Sequence, residues 1–148
     1  MTGRKAGNTM EDQGKCKDRV GASYKSRFAE IKALWNLYRE DSEKYHDDYG
    51  RWDEYGLCFD YVPRGTFTDQ KRGFFRFQIS TGGPGEEIRF YADETLALTR
   101  VEFWYLDWFD GAHVKVTGKN RELIDEIWED WKEMELPQTQ MEKATAED

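Results

Sequence analysis

The chain predicts an α+β fold, a two-layer sandwich in which an antiparallel sheet of four to five strands is packed by an N-terminal and a C-terminal helix. Three observations carry this expectation. Apolar residues recur at helical spacing near both ends, the period changes to two across the middle, and Gly, Pro and Asp separate the alternating runs.

Residues 1–22 are polar, hold five bases against three acids and have almost no large apolar side chain, so they read as a disordered arm. A single domain is expected over residues 23–136 and an unstructured polar tail over 137–148. Ser23 is read as an N-cap, after which Phe28, Ile31, Leu34, Trp35 and Tyr38 share one helical face. Tyr45, Tyr49, Trp52 and Tyr55 keep a similar spacing among acids, and Gly50 is where the helix is expected to break.

Alternation then takes over. Leu57, Phe59 and Tyr61 form one apolar side, followed by Phe75, Phe77 and Ile79, then Ile88, Phe90 and Ala92. In VEFWYLDWFDGAHV, residues 101–114, Val101, Phe103 and Tyr105 face the core, whereas Glu102, Trp104 and Leu106 lie on the second face. Asp110-Gly111 reads as the turn ending this strand, and AHVKV as a short last strand. Thr117 opens the final helix, with Leu123, Ile124, Ile127, Trp128 and Trp131 as its buried stripe.

The totals narrow the function classes. A chain of 148 residues can bury roughly two thirds of its unfolded surface, so it needs no metal or disulfide to fold. Aromatics reach 16% of the residues, so rings build much of the core. The net charge of −8 disfavours direct binding to nucleic acid or anionic lipid. Cys16 and Cys58 do not form a secreted disulfide pattern, and no apolar run matches a signal or membrane span; a reduced, cytoplasmic protein is the expectation.

Catalytic motifs are weak. TGGPG at 81–85 leads into Glu86 and Glu87 and a strand, not a helix N-terminus with a nearby base, so it reads as a hairpin turn and not a phosphate cradle. Asp107, Asp110 and His113 are three apart and supply the enzyme alternative, a small metal-dependent hydrolase, although their spacing crosses a strand end and a turn. His46 beside Asp47 and Asp48 shares one helix turn without sharing a face. Cys58, between Leu57 and Phe59, reads as a buried inert thiol. No catalytic set, metal site or cofactor is expected.

Charge distribution is more informative. Residues 38–60 hold eight acids against three bases, and residues 119–148 ten against four, while the rest of the chain is slightly basic. An acidic surface carrying Glu126, Glu129, Asp130 and Glu133 is therefore a candidate docking site for a basic protein. On the second sheet face, Arg76, Arg89, Arg100 and Trp104 have the composition of a protein-binding hot spot, and cross-strand pairing with Glu87 and Glu102 is the structural counterpart. Trp104 is also the candidate contact for a homodimer.

GFFRFQISTGGPGEEIRFYAD followed by VEFWYLDWFDGAHV resembles a group of small proteins encoded on bacterial plasmids, phages and other mobile elements. The resemblance covers about residues 50–115 and rests on the strand pattern, the GGP turn and the DWFDGA ending. It carries over no catalytic residue. It implies a setting: small acidic accessory proteins that bind host or rival machinery, counter-defence inhibition being one such role.

Overall fold

The computed structural model describes residues 16–82, 84–107 and 110–146. Helix α1 spans Cys16–Glu40, so its described part begins inside the stretch expected to be a disordered arm. The reason is packing: Cys16 and Val20 extend the stripe of Phe28, Ile31, Leu34 and Trp35, and all six are buried. Residues 1–15 of the expected arm lie outside the described residues. Ser23 is not an N-cap but an interior residue of α1, its hydroxyl donating to Glu86. At the first described turn Asp110 Oδ2 accepts the backbone N–H of Cys16 at 2.8 Å.

Helix α1 ends at Glu40, well before Gly50. Asp41 Oδ1 accepts the backbone N–H of Glu43 at 3.0 Å, a local turn that competes with helix propagation. A bridge between His46 and Gly50 and one 3-10 turn, Trp52–Glu54, complete the connection.

The strands are β1 (Cys58–Val62), β2 (Phe74–Ser80), β3 (Gly85–Ala92), β4 (Leu98–Asp107) and β5 (Asp110–Lys115). Among the described residues they form one antiparallel sheet in the order β1-β2-β3-β4-β5. Phe77, Ile88, Phe103 and Val114 face one another in register across β2 to β5, as the alternation requires. TGGPG does connect a hairpin, with Ser80 paired to Glu86 and Gly82 at φ +95°. Asp110 and Gly111 belong to β5 and are not a turn; Asp110 pairs with Asp107 and Gly111 with Leu106. A Cβ at Gly111 would lie 2.8 Å from Leu106 Cδ2, the mobile end of a side chain that could shift to admit it.

Helix α2 spans Gly118–Glu133, with Thr117 as an extended N-cap whose hydroxyl makes no capping bond. The segment expected to be an unstructured tail contains a further helix, α3, over Leu136–Ala146. Pro137 is tolerated there because the first turn needs no N–H from it, and it is buried. Leu136 and Met141 pack against the core.

Helices α1 and α2 cover the same sheet face. Tyr24 and Phe28 of α1 meet Phe103, while Trp128 and Trp131 of α2 meet Phe75, Phe77 and Phe90. Trp128 stacks on Phe90 at 5.3 Å and donates its indole N–H to Leu96 O at 2.8 Å, so a large ring is buried without an orphaned donor. On the opposite face, among the described residues, the 63–73 loop reaches over the sheet where Phe67 stacks near Phe74.

Candidate functional site

Glu126, Glu129, Asp130 and Glu133 recur at three- and four-residue intervals and occupy one stripe of α2. Helix α1 runs alongside and supplies Trp35, Tyr38 and Arg39. These seven residues line one open groove of about 530 Å³. The structure therefore brings together all four acids singled out in the sequence, and adds an aromatic wall from a second helix.

The acids differ in their surroundings. Glu126 Oε1 accepts from Trp35 Nε1 at 3.1 Å and from Arg39 Nη1 at 2.8 Å. Glu129 pairs with Lys132 at 3.0 Å. Asp130 Oδ2 is buried and has no hydrogen-bond partner. Burial, then the neighbouring Glu133, push the Asp130 carboxyl above the usual aspartate range. Tyr38 is raised too, by burial and then by Asp130 and Asp53. The groove is negative, and its single lining cation, Arg39, is engaged by Glu126.

The second sheet face is organised differently. Arg76 makes two bonds to Asp60 across the strands, at 3.1 and 2.7 Å. Arg89 donates to Glu87 at 2.6 Å, and Arg100 donates to Glu102. Glu87 and Glu102 are thus the partners, but each is reached along the strand from a residue two positions away. Arg89 also lies between two rings, its Cζ 3.9 Å from the centroid of Trp104 and 4.7 Å from that of Phe74. Trp104 stacks on His113 at 4.4 Å and donates to Glu102 at 2.9 Å. Burial pushes Glu102 upward, yet the bonds from Trp104 and Arg100 and the nearby His113 outweigh it and hold this carboxyl below its ordinary range. The three arginines are already neutralised within the sheet.

Asp107, Asp110 and His113 do not converge. Asp107 and Asp110 lie on the helix side, Asp107 3.6 Å from Arg19 and Asp110 at the start of α1. His113 projects from the other face, against Trp104. The bond from Cys16 N–H holds the Asp110 carboxyl below its usual range. Among the described residues, no group of three or more His, Cys, Asp or Glu could hold a metal ion. His46 stacks on Tyr49 in the loop after α1, away from any such grouping. Cys58, expected to be buried, is exposed at the start of the outer strand β1, where its thiol contacts Gln78.

One polar cluster was not anticipated. Arg27 of α1 binds Glu86 and Glu30, Ser23 and Ser80 both donate to Glu86, and Tyr55 donates to Glu30 at 2.7 Å. A register shift between Gln78 and Ser80 accompanies the placement of Glu86 beneath α1. The alternation of Ile88 and Phe90, carried back by two, puts Glu86 and not Glu87 on the helix side, but its partners Arg27 and Ser23 come from a helix distant in sequence.

No described helix is long and apolar enough to cross a membrane. Comparison with protein-family models, with curated proteins and with solved structures gives no match.

Proposed function

We propose that the protein is a non-enzymatic binding protein whose groove between α1 and α2 docks a basic segment of another protein. The observation that carries this reading is the convergence of Glu126, Glu129, Asp130 and Glu133 on one groove with Trp35 and Tyr38, one of the carboxylate oxygens being buried and unpartnered. Such a groove favours lysine and arginine and repels phosphate. Trp35 and Tyr38 along its wall offer ring faces for the stems and charges of such side chains. The sheet face competes less well for a charged partner, because Arg76, Arg89 and Arg100 already have carboxylates.

The resemblance of residues 50–115 to proteins of mobile elements supports a host or rival protein as the partner, and counter-defence inhibition as the setting. Blocking a basic surface needs no catalytic group; it needs shape, charge and a slow off-rate. The overall charge of −8 assists encounter with such a surface.

The test is capture from nuclease-treated bacterial lysate on immobilised protein, eluted by rising salt. Wild-type protein should retain a basic protein stoichiometrically. The variant with Glu126, Glu129, Asp130 and Glu133 changed to Lys should lose it while keeping a cooperative thermal transition. Equal retention by a folded variant would overturn the groove as the docking site.

A further inference from the structure

Beside the acidic groove, and sharing Tyr38 and Asp130 with it, lies a second cavity of about 430 Å³. Its wall is largely aromatic, from Tyr38 and Trp52 through Tyr55 to Trp131. Met134, 57% exposed, stands at the turn between α2 and α3 that closes one side. No lysine or arginine lines it. Two carboxylates do, and they differ: Asp53 is held by two bonds from Arg51, at 3.0 and 2.9 Å, whereas Asp130 keeps a buried oxygen with no partner.

This combination selects a chemical class. An apolar ligand would suit the rings but leave the buried oxygen of Asp130 uncompensated. An anion would be repelled. A cation on an alkyl stem satisfies both parts, since ring faces attract positive charge and the stem covers apolar wall. Lysine is taken over arginine because a compact ammonium on a flexible stem can meet one carboxylate at the end of a ring-walled cavity, whereas the guanidinium is a wider, rigid planar fork.

We propose that this cavity is the anchor pocket for a lysine side chain of the basic segment, its ammonium directed at Asp130 and its stem against Trp52 and Trp131. The inference rests on the groove reading for where the lysine comes from, but the pocket can be tested without a partner.

The experiment follows the indole N–H resonances of ¹⁵N-labelled protein at low salt during titration with Nα-acetyl-lysine methylamide, with the norleucine and arginine counterparts in parallel. The lysine derivative should shift Trp52 and Trp131 saturably, and norleucine should bind roughly tenfold more weakly, the scale of one partly desolvated cation-ring contact. Asp130→Asn, checked for an intact thermal transition, should reduce lysine to the norleucine level. Equal binding of lysine and norleucine would make the pocket a plain apolar one, and tighter binding of arginine would overturn the lysine assignment. Shifts confined to other tryptophans, or none, would remove the pocket. Should the lysine probe fail while lysate capture still depends on the groove acids, the pocket falls and the groove stands; the converse result removes the groove alone.

Discussion

Arg27 and Glu86 are joined by two hydrogen bonds from one guanidinium to one carboxylate oxygen, Nε at 3.0 Å and Nη2 at 2.6 Å, tying α1 to the start of β3. Glu86 is 9% exposed, and Ser23 and Ser80 add two further donors. Burial raises its pKa, but the bonds from Arg27, Ser23 and Ser80 prevail and hold the carboxyl below its usual range.

Glu86→Gln is therefore expected to cost about 2–3 kcal/mol in urea unfolding, somewhat under the loss for a fully buried pair because Arg27 keeps Glu30 and some solvent contact. The pH dependence follows. With its folded pKa depressed, Glu86 contributes stability above its unfolded value near 4.5, and this is lost as pH falls through the folded pKa. The gap between wild type and variant should narrow in acid; a constant gap from pH 7 to pH 2 would contradict the role given to this carboxylate.

Asp130 has the opposite sign. Its folded pKa lies above the unfolded value of 3.8, so the folded state holds its proton more tightly, and stability is lost as pH rises through the folded pKa. Asp130→Asn should then stabilise the protein at pH 7, by about 1 kcal/mol for relief of an unpaired buried charge. The same substitution should weaken lysine binding. A variant that both melts earlier and binds lysine normally would mean that Asp130 is a structural partner and not a recognition group.

Trp104 is held on three sides, by Arg89, by His113 and through its indole N–H by Glu102. Trp104→Ala should cost about 2 kcal/mol from the lost stack and hydrogen bond, measured by thermal unfolding. Sedimentation should be the same for variant and wild type, because this ring is spent on its own sheet. A wild-type dimer that dissociates in the variant would transfer the interaction to this face.

Glu135, between α2 and α3, sits at φ +59°, a conformation in which a side chain is strained and glycine is not. Glu135→Gly should raise the denaturation midpoint, by about 0.5–1 kcal/mol in free energy. A fall would show that the Glu135 side chain contributes something its backbone strain conceals.

The strands were legible because burial on one face writes a period of two into the chain, and Phe75, Phe77, Ile79 and their neighbours keep it. The N-terminal described part of α1 was not, because Cys16 and Val20 are the sparse apolar marks in a polar stretch and the partner of the Cys16 N–H is Asp110, far along the chain. Helix α3 was equally hidden: Pro137 reads as a stop in isolation, and Leu136 and Met141 show their value only against the core. Of the candidate groove, the acids were visible as one stripe of α2, but Trp35 and Tyr38 join them only through the packing of two helices distant in sequence. The same applies to the arginines of the sheet: alternation gives their face, but not that Arg89 bonds Glu87 along its own strand while Glu102 stands directly opposite.

The bond from Cys16 to Asp110 spans 94 positions. At a synthesis rate of ~5–20 residues per second, Cys16 is made roughly 5–20 s before the carboxylate that receives its N–H. Meanwhile each strand from β2 onward can pair with the one made just before it. On the ribosome the sheet can thus grow as successive hairpins from β1 to β5, and α1, made before all of them, is the piece that must wait to be docked.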